Sequence, residues 1–523
     1  MSGAGGDPGP GRACARWGSA PWLWFAGLRG WHAAGAAFGL GVLSAGALPP
    51  VHAIPVLLLA VPGLLALIGS SARAREAGWR GFCFGFGHHV VGLYWITEAI
   101  LIEAAQFWWF VPLAVPALAA ALALFIALPC AAAWWARPGW RRVAVLAGAW
   151  VLADLARQFI GTGFPWNLWG SVWAVPGPIG DVALQPAAWV SVHGLTLATL
   201  VLAATPALGR RAMAVGAGAL VVWAGAGATR LHVAIPSPPP GLDVVLVQGN
   251  VPQGHKWDRA FVVDTFEHHL ALTRSGMARA RRPAVVIWPE TASPFLLEQD
   301  TGARAAIVAA AETTALVGSV RFGPAGRPYN SLMALLDAGP PVAVYDKWHL
   351  VPFGEYQPTW FPLPIQVVPG GGFAAGPGPA TLHVPGLPPV GALICYETIF
   401  PAQVADETDR PDWLVNVTND AWFGNSTGPR QHLAAARLRA VEEGLPLMRA
   451  ANTGITVGFD ANGRELGRLG MGTAGVLVLA LPGHLPPTPF ARLGLVVPLV
   501  LGAVVLLAGA VPVRRRRNRA MHQ

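Results

Sequence analysis

Charge is what this chain has least of: 12% of its 523 residues are Asp, Glu, Lys or Arg and 54% are hydrophobic, where soluble domains average about 25% charged. With a mean hydropathy of +0.47, that composition excludes an ordinary soluble protein. The shortage is concentrated in residues 30–230 and 488–511, which read as helices packed in lipid, each satisfying its own backbone polar groups. Cysteine is nearly as scarce. Cys14, Cys83 and Cys130 fall in the N-terminal tail or in apolar segments, and Cys395 is alone in the polar stretch 241–485. An internal disulfide is therefore excluded there. The absence of CxxC or Cys/His clusters argues against zinc, and His88-His89 and His268-His269 are adjacent pairs without the i,i+4 spacing of helical ligands.

Spans are predicted near 31–49, 51–69, 81–102, 109–135, 142–160, 186–206 and 212–229, with a last one near 489–511. Several spans following at once, with no clear small-residue cleavage site, disfavour a signal peptide for the first. Arg12, Arg16 and Arg29 precede the first span, Arg73, Arg75 and Arg80 follow the second, Arg137, Arg141 and Arg142 follow the fourth, Arg210 and Arg211 follow the sixth, and Arg514–Arg517 follow the last. The alternate connections are nearly free of Lys and Arg, so the positive-inside rule puts both termini in the cytoplasm and the polar stretch outside. This placement accounts for the net charge of +9 without nucleic acid, and makes Arg514–Arg517 a stop-transfer and headgroup anchor. The expected organisation is a disordered cytoplasmic tail over 1–30, a seven-span region over 31–235, an outward domain over 241–485, a transmembrane helix over 489–511 and a basic tail over 512–523.

Between the stiff linker Pro236-Ser237-Pro238-Pro239-Pro240 and residue 485, strand-like and helix-like segments alternate. Strands are predicted at 243–248, 284–288, 315–320, 332–336, 390–394, 413–418, 455–460 and 476–481, and helices at 258–282, 302–313 and 427–444. That pattern predicts an α/β domain with layered sheets, whose active site gathers at strand ends.

Cys395 ends the apolar run Val390-Gly391-Ala392-Leu393-Ile394. Trp288-Pro289-Glu290 and Asp346-Lys347-Trp348-His349 offer a carboxylate and an ammonium from separate elements. A free thiol has a pKa of about 8.5 and needs activation. Glu290 is the candidate general base, and Lys347 the candidate stabiliser of the thiolate and then of an oxyanion. A helix starting at Tyr396 is expected to aim N–H groups at Cys395 and, with the lysine, to lower the thiol pKa. The apolar residues of 351–368, among them Phe353, Trp360 and Phe361, form either a membrane-dipping arm or ordinary core.

Trp288-Pro289-Glu290, Lys347 ahead of His349-Leu350-Val351-Pro352-Phe353-Gly354-Glu355-Tyr356, and Cys395-Tyr396-Glu397 resemble the Glu-Lys-Cys triad of the nitrilase superfamily. Asn419-Asp420-Ala421-Trp422-Phe423-Gly424 with Gln431-His432, Gln248-Gly249-Asn250-Val251-Pro252-Gln253 with Lys256-Trp257-Asp258, and Gly163-Phe164-Pro165-Trp166 resemble its membrane-embedded branch, the bacterial apolipoprotein N-acyltransferases. The resemblance spans nearly the whole chain beyond the first few dozen residues. It implies a polytopic α-helical bundle of about eight spans with an outward-facing nitrilase-like αββα sandwich. It further implies Glu290 as base, Lys347 as oxyanion stabiliser and Cys395 as nucleophile. Glu355 matches an additional essential acid, Tyr396 and Glu397 match residues supporting the nucleophile, Asn330 is expected to orient the site, and Trp257 matches a substrate-entrance tryptophan. The implied reaction moves an acyl group from a phospholipid, through a thioester, to the α-amine of a diacylglyceryl-modified cysteine at the N-terminus of an apolipoprotein. It needs no cofactor or metal, and is carried out by a monomer on the periplasmic side of the bacterial inner membrane.

Two other readings remain open from the residues alone. A membrane-tethered amidase acting on a small C–N substrate uses the same triad, although it has no need of so many spans. A transporter or receptor with a degenerate binding domain is disfavoured by the intact Glu290, Lys347 and Cys395 and by the scarcity of charge in the spans, where Asp154 and Arg157 are the main exceptions.

Overall fold

The structure is a computed structural model that describes residues 21–102, 107–256, 259–281, 283–358 and 372–511. The N-terminal half is helical: α1 (Gly30–Ala45), α2 (Leu57–Gly69), α3 (Ala74–Gly92), α4 (Val111–Trp135), α5 (Trp140–Arg157), α6 (Ala187–Ala203) and α7 (Arg210–Val233). Small residues set the helix spacing: a Cβ on Gly41 of α1 would sit 1.9 Å from the Phe84 carbonyl oxygen of α3, so glycine lets the two backbones touch.

Among the described residues, two helical segments are long and apolar enough to cross a bilayer unaided, Trp108–Trp135 and Arg210–Val233. The other apolar helices are shorter than the predicted spans. The segment predicted at 81–102 is instead α3, which begins earlier and stops at Gly92, followed by a separate helix at Ile96–Leu101. The segment predicted at 489–511 breaks at Gly494, whose φ is +55°, into Pro489–Leu493 and α11 (Val496–Ala510). The intervening helices α8 (Val262–Met277), α9 (Thr301–Ala311) and α10 (Gly428–Glu443) belong to the C-terminal domain.

That domain holds twelve strands among the described residues: β1 (Asp243–Gln248), β2 (Ala284–Ile287), β3 (Thr314–Phe322), β4 (Pro328–Leu335), β5 (Ala343–Asp346), β6 (Thr381–Leu382), β7 (Val390–Ile394), β8 (Trp413–Thr418), β9 (Leu447–Ala451), β10 (Thr456–Phe459), β11 (Glu465–Leu469) and β12 (Gly475–Ala480). They form two six-stranded sheets, ordered β12-β1-β2-β3-β4-β5 and β11-β10-β9-β8-β7-β6. The alternation of side chains along each strand explains the layering. Val244 and Leu246 of β1 and Val285 and Ile287 of β2 pack against Val390, Ala392, Val415 and Val417 between the sheets. Val245, Val247 and Val286 face outward onto Phe266 and Leu270 of α8 and Ile307 of α9. Leu393 and Leu414 face outward onto Ala436 and Ala440 of α10. The result is an αββα sandwich, as the resemblance implies.

Helix α10 also packs on the helical half. Ala434, Leu438 and Val441 meet Leu184, Ala188, Val192 and Leu195. Covered on two sides, α10 buries Arg437, Arg439, Glu442 and Glu443 along with its apolar residues. Glu442 accepts from the Ser191 hydroxyl at 2.9 Å and the Val192 N–H at 2.8 Å, which pairs a buried carboxylate with the kink of α6, where Ser191 has φ +61°.

Candidate active site

Glu290 stands just past the end of β2. Its turn lies directly on Gly318 of β3, where a Cβ would come 2.1 Å from the Pro289 carbonyl oxygen, so the approach requires glycine. Lys347 follows β5, and its N–H donates to the Asn330 carbonyl of β4 at 2.8 Å. Cys395 follows β7 with φ +53°, a left-handed conformation that costs a non-glycine residue about 1–2 kcal/mol. The helix predicted from Tyr396 is a single 3₁₀ turn over Cys395–Ile399.

These strand ends bring together the predicted Glu290, Lys347, Glu355 and Asn330. The Lys347 ammonium donates to Glu290 Oε1 at 3.1 Å and to Glu355 Oε1 at 2.8 Å. Asn330 Nδ2 spans the same two carboxylates at 2.7 and 3.0 Å. Glu290 Oε2 accepts from the Asn419 N–H at 2.8 Å, and Glu355 Oε2 from the Val351 N–H at 2.8 Å. Asn330 Oδ1 is buried and has no partner among the described residues, so it remains an acceptor inside the site.

A second ammonium, to which the sequence analysis gave no role, lies beside this group: Lys256 is buried and donates to the Glu290 backbone carbonyl at 2.8 Å. Burial brings its pKa down to about 8, against the pull of Glu290 and Cys395.

Burial disfavours charge on all of these groups, and their neighbours decide the outcome. Glu290 is buried, yet Lys347 and Lys256 hold its carboxyl below the usual range. Burial likewise opposes charge on Lys347, but Glu290 and Glu355 hold its pKa above the ordinary lysine value. The thiol of Cys395 departs from expectation. Burial, followed by the Glu290 charge, pushes it up, and Lys347 only partly offsets this. The resting site thus pairs a neutral thiol with an ionised carboxylate and a charged ammonium. That combination suits a nucleophile deprotonated by a general base during attack, rather than a preformed thiolate.

Glu397 and Tyr396 lie behind Cys395. Glu397 Oε1 accepts from the Tyr345 hydroxyl at 2.9 Å and the Trp348 N–H at 2.8 Å, and Oε2 from the Ile394 N–H at 2.6 Å. It therefore clamps the Lys347 loop to the Cys395 turn, and burial raises its pKa to about 7. The Tyr396 hydroxyl donates to the Gly163 carbonyl at 2.9 Å, tying this turn to the helical half. Trp257, Trp360 and Phe361 lie outside the described residues.

Sequence reasoning assigned no role to Asp420, His432 or Arg449. Cys395 Sγ, an Asp420 oxygen and a His432 ring nitrogen lie within 4.8 Å of one another. His432 Nδ1 lies 3.0 Å from Asp420 Oδ1, and Nε2 lies 2.9 Å from both the Cys395 carbonyl and the Thr398 hydroxyl. Arg449 donates to Asp420 Oδ2 at 2.7 Å, and its guanidinium is 3.2 Å from Nδ1. Both ring nitrogens and both carboxylate oxygens are thus engaged, with a fixed cation alongside, which describes a hydrogen-bonded network and not a metal centre. Although Asp420 is fully buried, Arg449 and His432 hold its carboxyl at about 2. Burial and then Arg449 keep the His432 pKa below its usual value.

Residues 40–205 match the family described as the apolipoprotein N-acyltransferase N-terminal domain, and residues 244–485 match carbon-nitrogen hydrolase. An apolipoprotein N-acyltransferase from Rhodopseudomonas palustris is 39% identical over 513 residues, covering 91% of this chain and 95% of the relative. One from Bradyrhizobium diazoefficiens is 39% identical over 521 residues, covering 93% and 96%. A solved amidase of the nitrilase superfamily from Nesterenkonia AN1 aligns over 47% of this chain and 93% of its own, at 19% identity and a TM-score of 0.35. With a carbon-nitrogen hydrolase domain joined to the matching N-terminal helical domain, and near-full-length relatives at this identity, the chain belongs to the apolipoprotein N-acyltransferase family.

Proposed function

We propose that this protein transfers a fatty acyl group from a phospholipid, through a thioester on Cys395, to the α-amino group of the N-terminal diacylglyceryl-cysteine of an apolipoprotein. N-acylation of an apolipoprotein is the reaction its family is named for; the donor, the intermediate and the residue roles are the proposal. In the first half-reaction Glu290 takes the Cys395 proton as sulfur attacks the ester carbonyl. Lys347 stabilises the oxyanion, and the departing lysophospholipid alkoxide takes the proton back from Glu290. In the second, the acceptor amine attacks the thioester and gives a proton to Glu290, and the thiolate leaves and is reprotonated. Glu355 and Asn330 hold Lys347 and Glu290 in register, Glu397 holds the Cys395 turn, and Trp257 contacts substrate at the entrance.

The observation that carries this reading is the Lys347 ammonium shared by Glu290 and Glu355 beside a buried neutral thiol. The setting supports lipid substrates, since drawing an acyl chain into water costs about 0.8 kcal/mol per CH₂ and the nucleophile's turn is bonded to the apolar helical half through Tyr396. Val215, Val221 and Val222 of α7 and Val500, Val504 and Leu507 of α11 are exposed, which fits lipid contact. With the arginine distribution, this supports an inner-membrane enzyme of eight spans, its C-terminal domain periplasmic and both termini cytoplasmic.

The test is mass spectrometry of the purified protein after incubation with phospholipid. An acyl-sized gain on the Cys395 peptide, discharged onto the amine of an added diacylglyceryl-cysteine peptide, is the expected result. Phospholipid bound to folded protein without any adduct on Cys395 overturns the proposal and points to small amides.

A further inference from the structure

The Cys395 turn is strained, and the bonds that hold it converge on one imidazole. Nδ1 of His432 faces Asp420 Oδ1 and the Arg449 guanidinium, and Nε2 faces the Cys395 carbonyl, which can only accept, so the ring bonds that carbonyl with its proton on Nε2. Asp420 is itself fixed by Arg449 of β9 and by the Thr418 hydroxyl of β8 at 3.1 Å. Arg449 also bonds Asn416 of β8, whose Nδ2 donates to the Leu393 carbonyl of β7 at 3.3 Å. The other edge of the ring, Nε2, meets the Cys395 carbonyl and the Thr398 hydroxyl, and that hydroxyl lies 3.1 Å from the same carbonyl. The ring is fully buried among Trp166 and Phe423, so no substrate reaches it.

We propose that His432 is a positioning residue for the nucleophile: anchored by Asp420 and Arg449, it fixes the Cys395 carbonyl and the Thr398 hydroxyl and so holds the left-handed turn that sets where Sγ stands relative to Glu290 and Lys347. The proposal rests on Cys395 being the nucleophile. It assigns a catalytic consequence to a network that touches no substrate: a displacement of about 1 Å at a reacting atom costs about 10²-fold in rate.

The test compares His432→Phe, which keeps a ring against Trp166 and Phe423, with His432→Gln, whose amide can still donate to the Cys395 carbonyl. Two rates are read on folded protein: single-turnover acylation of Cys395 by phospholipid, and alkylation of Cys395 by iodoacetamide. The second does not depend on acyl transfer, so it separates failure of this inference from failure of the proposed function. Expected are a loss of about tenfold or more in acylation for His432→Phe with the phospholipid KM nearly unchanged, a parallel change in alkylation, and substantial recovery of both in His432→Gln. Acylation and alkylation at parental rates in His432→Phe overturn the proposal. Should His432→Phe fail to fold, Thr398→Val removes the hydroxyl from the same junction at equal size. It is expected to slow both reactions, and parental rates in that variant overturn the proposal equally.

Discussion

Glu290 and Lys347 form a buried ion pair at 3.1 Å with both side chains closed to solvent. Such a pair contributes little net stability, but removing one partner strands the other charge at a cost of about 3–5 kcal/mol. Chemistry and stability are therefore separable only with a shape-conserving neutral variant. Glu290→Gln keeps acceptors for Asn330 and Lys347, and Glu355 still neutralises the ammonium. Its expected outcome is a folded protein whose thioester formation falls about 10²–10⁴-fold, the usual share of a general base. Single-turnover acylation near the parental rate in that variant would remove Glu290 from the mechanism.

The acid limb of the pH profile is expected to report the same pair. Lys347 and Lys256 hold Glu290 below the usual carboxyl range against its burial, so the base form persists to a lower pH than an ordinary glutamate would allow. Lys256→Met removes one of those cations, the Glu290 pKa rises, and the acid limb of the acylation rate moves to higher pH. Lys256→Arg keeps the charge and is expected to leave the limb in place. Superimposable profiles for the methionine variant and the parent would show that Lys256 does not act on the base.

What the sequence made legible, and what it concealed, divides along one physical line. Glu290 and Cys395 were visible because each ends a short apolar run, and a polar residue at that point has to face a strand end. Lys347, Glu355 and Asn330 could be grouped with them, although the sharing of one ammonium by two carboxylates is a three-dimensional fact. Arg449 was hidden for the opposite reason: it sits inside β9, where a charge argues against a strand, and its burial is tolerable only because Asp420 arrives from the end of β8 to neutralise it. The predicted lowering of the thiol pKa failed because proximity to a cation was weighed without burial, which outweighs Lys347 at Cys395. The helix boundaries failed where glycine and aromatic turns, at Gly92 and Gly494, broke runs that hydropathy joins.

Asp420 is expected to contribute to acid sensitivity. Its carboxyl lies at about 2 against an ordinary 3.8. A depressed carboxyl adds stability that is complete above its unfolded value and is lost as pH falls through the folded one. That difference corresponds to about 2 kcal/mol. Asp420→Asn is expected to be less stable at neutral pH by at least about this amount, with Arg449 left unpaired, and to lack the parent's decline between its unfolded and folded values. Thermal unfolding across that range checks it, and an identical acid decline in both proteins would assign the sensitivity elsewhere.

The helical half and the network beneath Cys395 meet at adjacent residues of α10. Gln431 Oε1 accepts from the indole of Trp95 at 3.1 Å and of Trp166 at 2.8 Å, and the next residue is His432. Both tryptophans are buried, so Gln431→Leu leaves two indole N–H groups without an acceptor, at about 1–3 kcal/mol each. Gln431→Glu preserves an oxygen for both. The expected order of melting temperature is parent and Gln431→Glu above Gln431→Leu. Because the lost bonds release the helix that carries His432, the leucine variant should also acylate Cys395 more slowly even below its melting temperature. If it melts lower but acylates at the parental rate, the contact serves only to join the two halves, and the support of Cys395 is confined to the network of His432, Asp420 and Arg449.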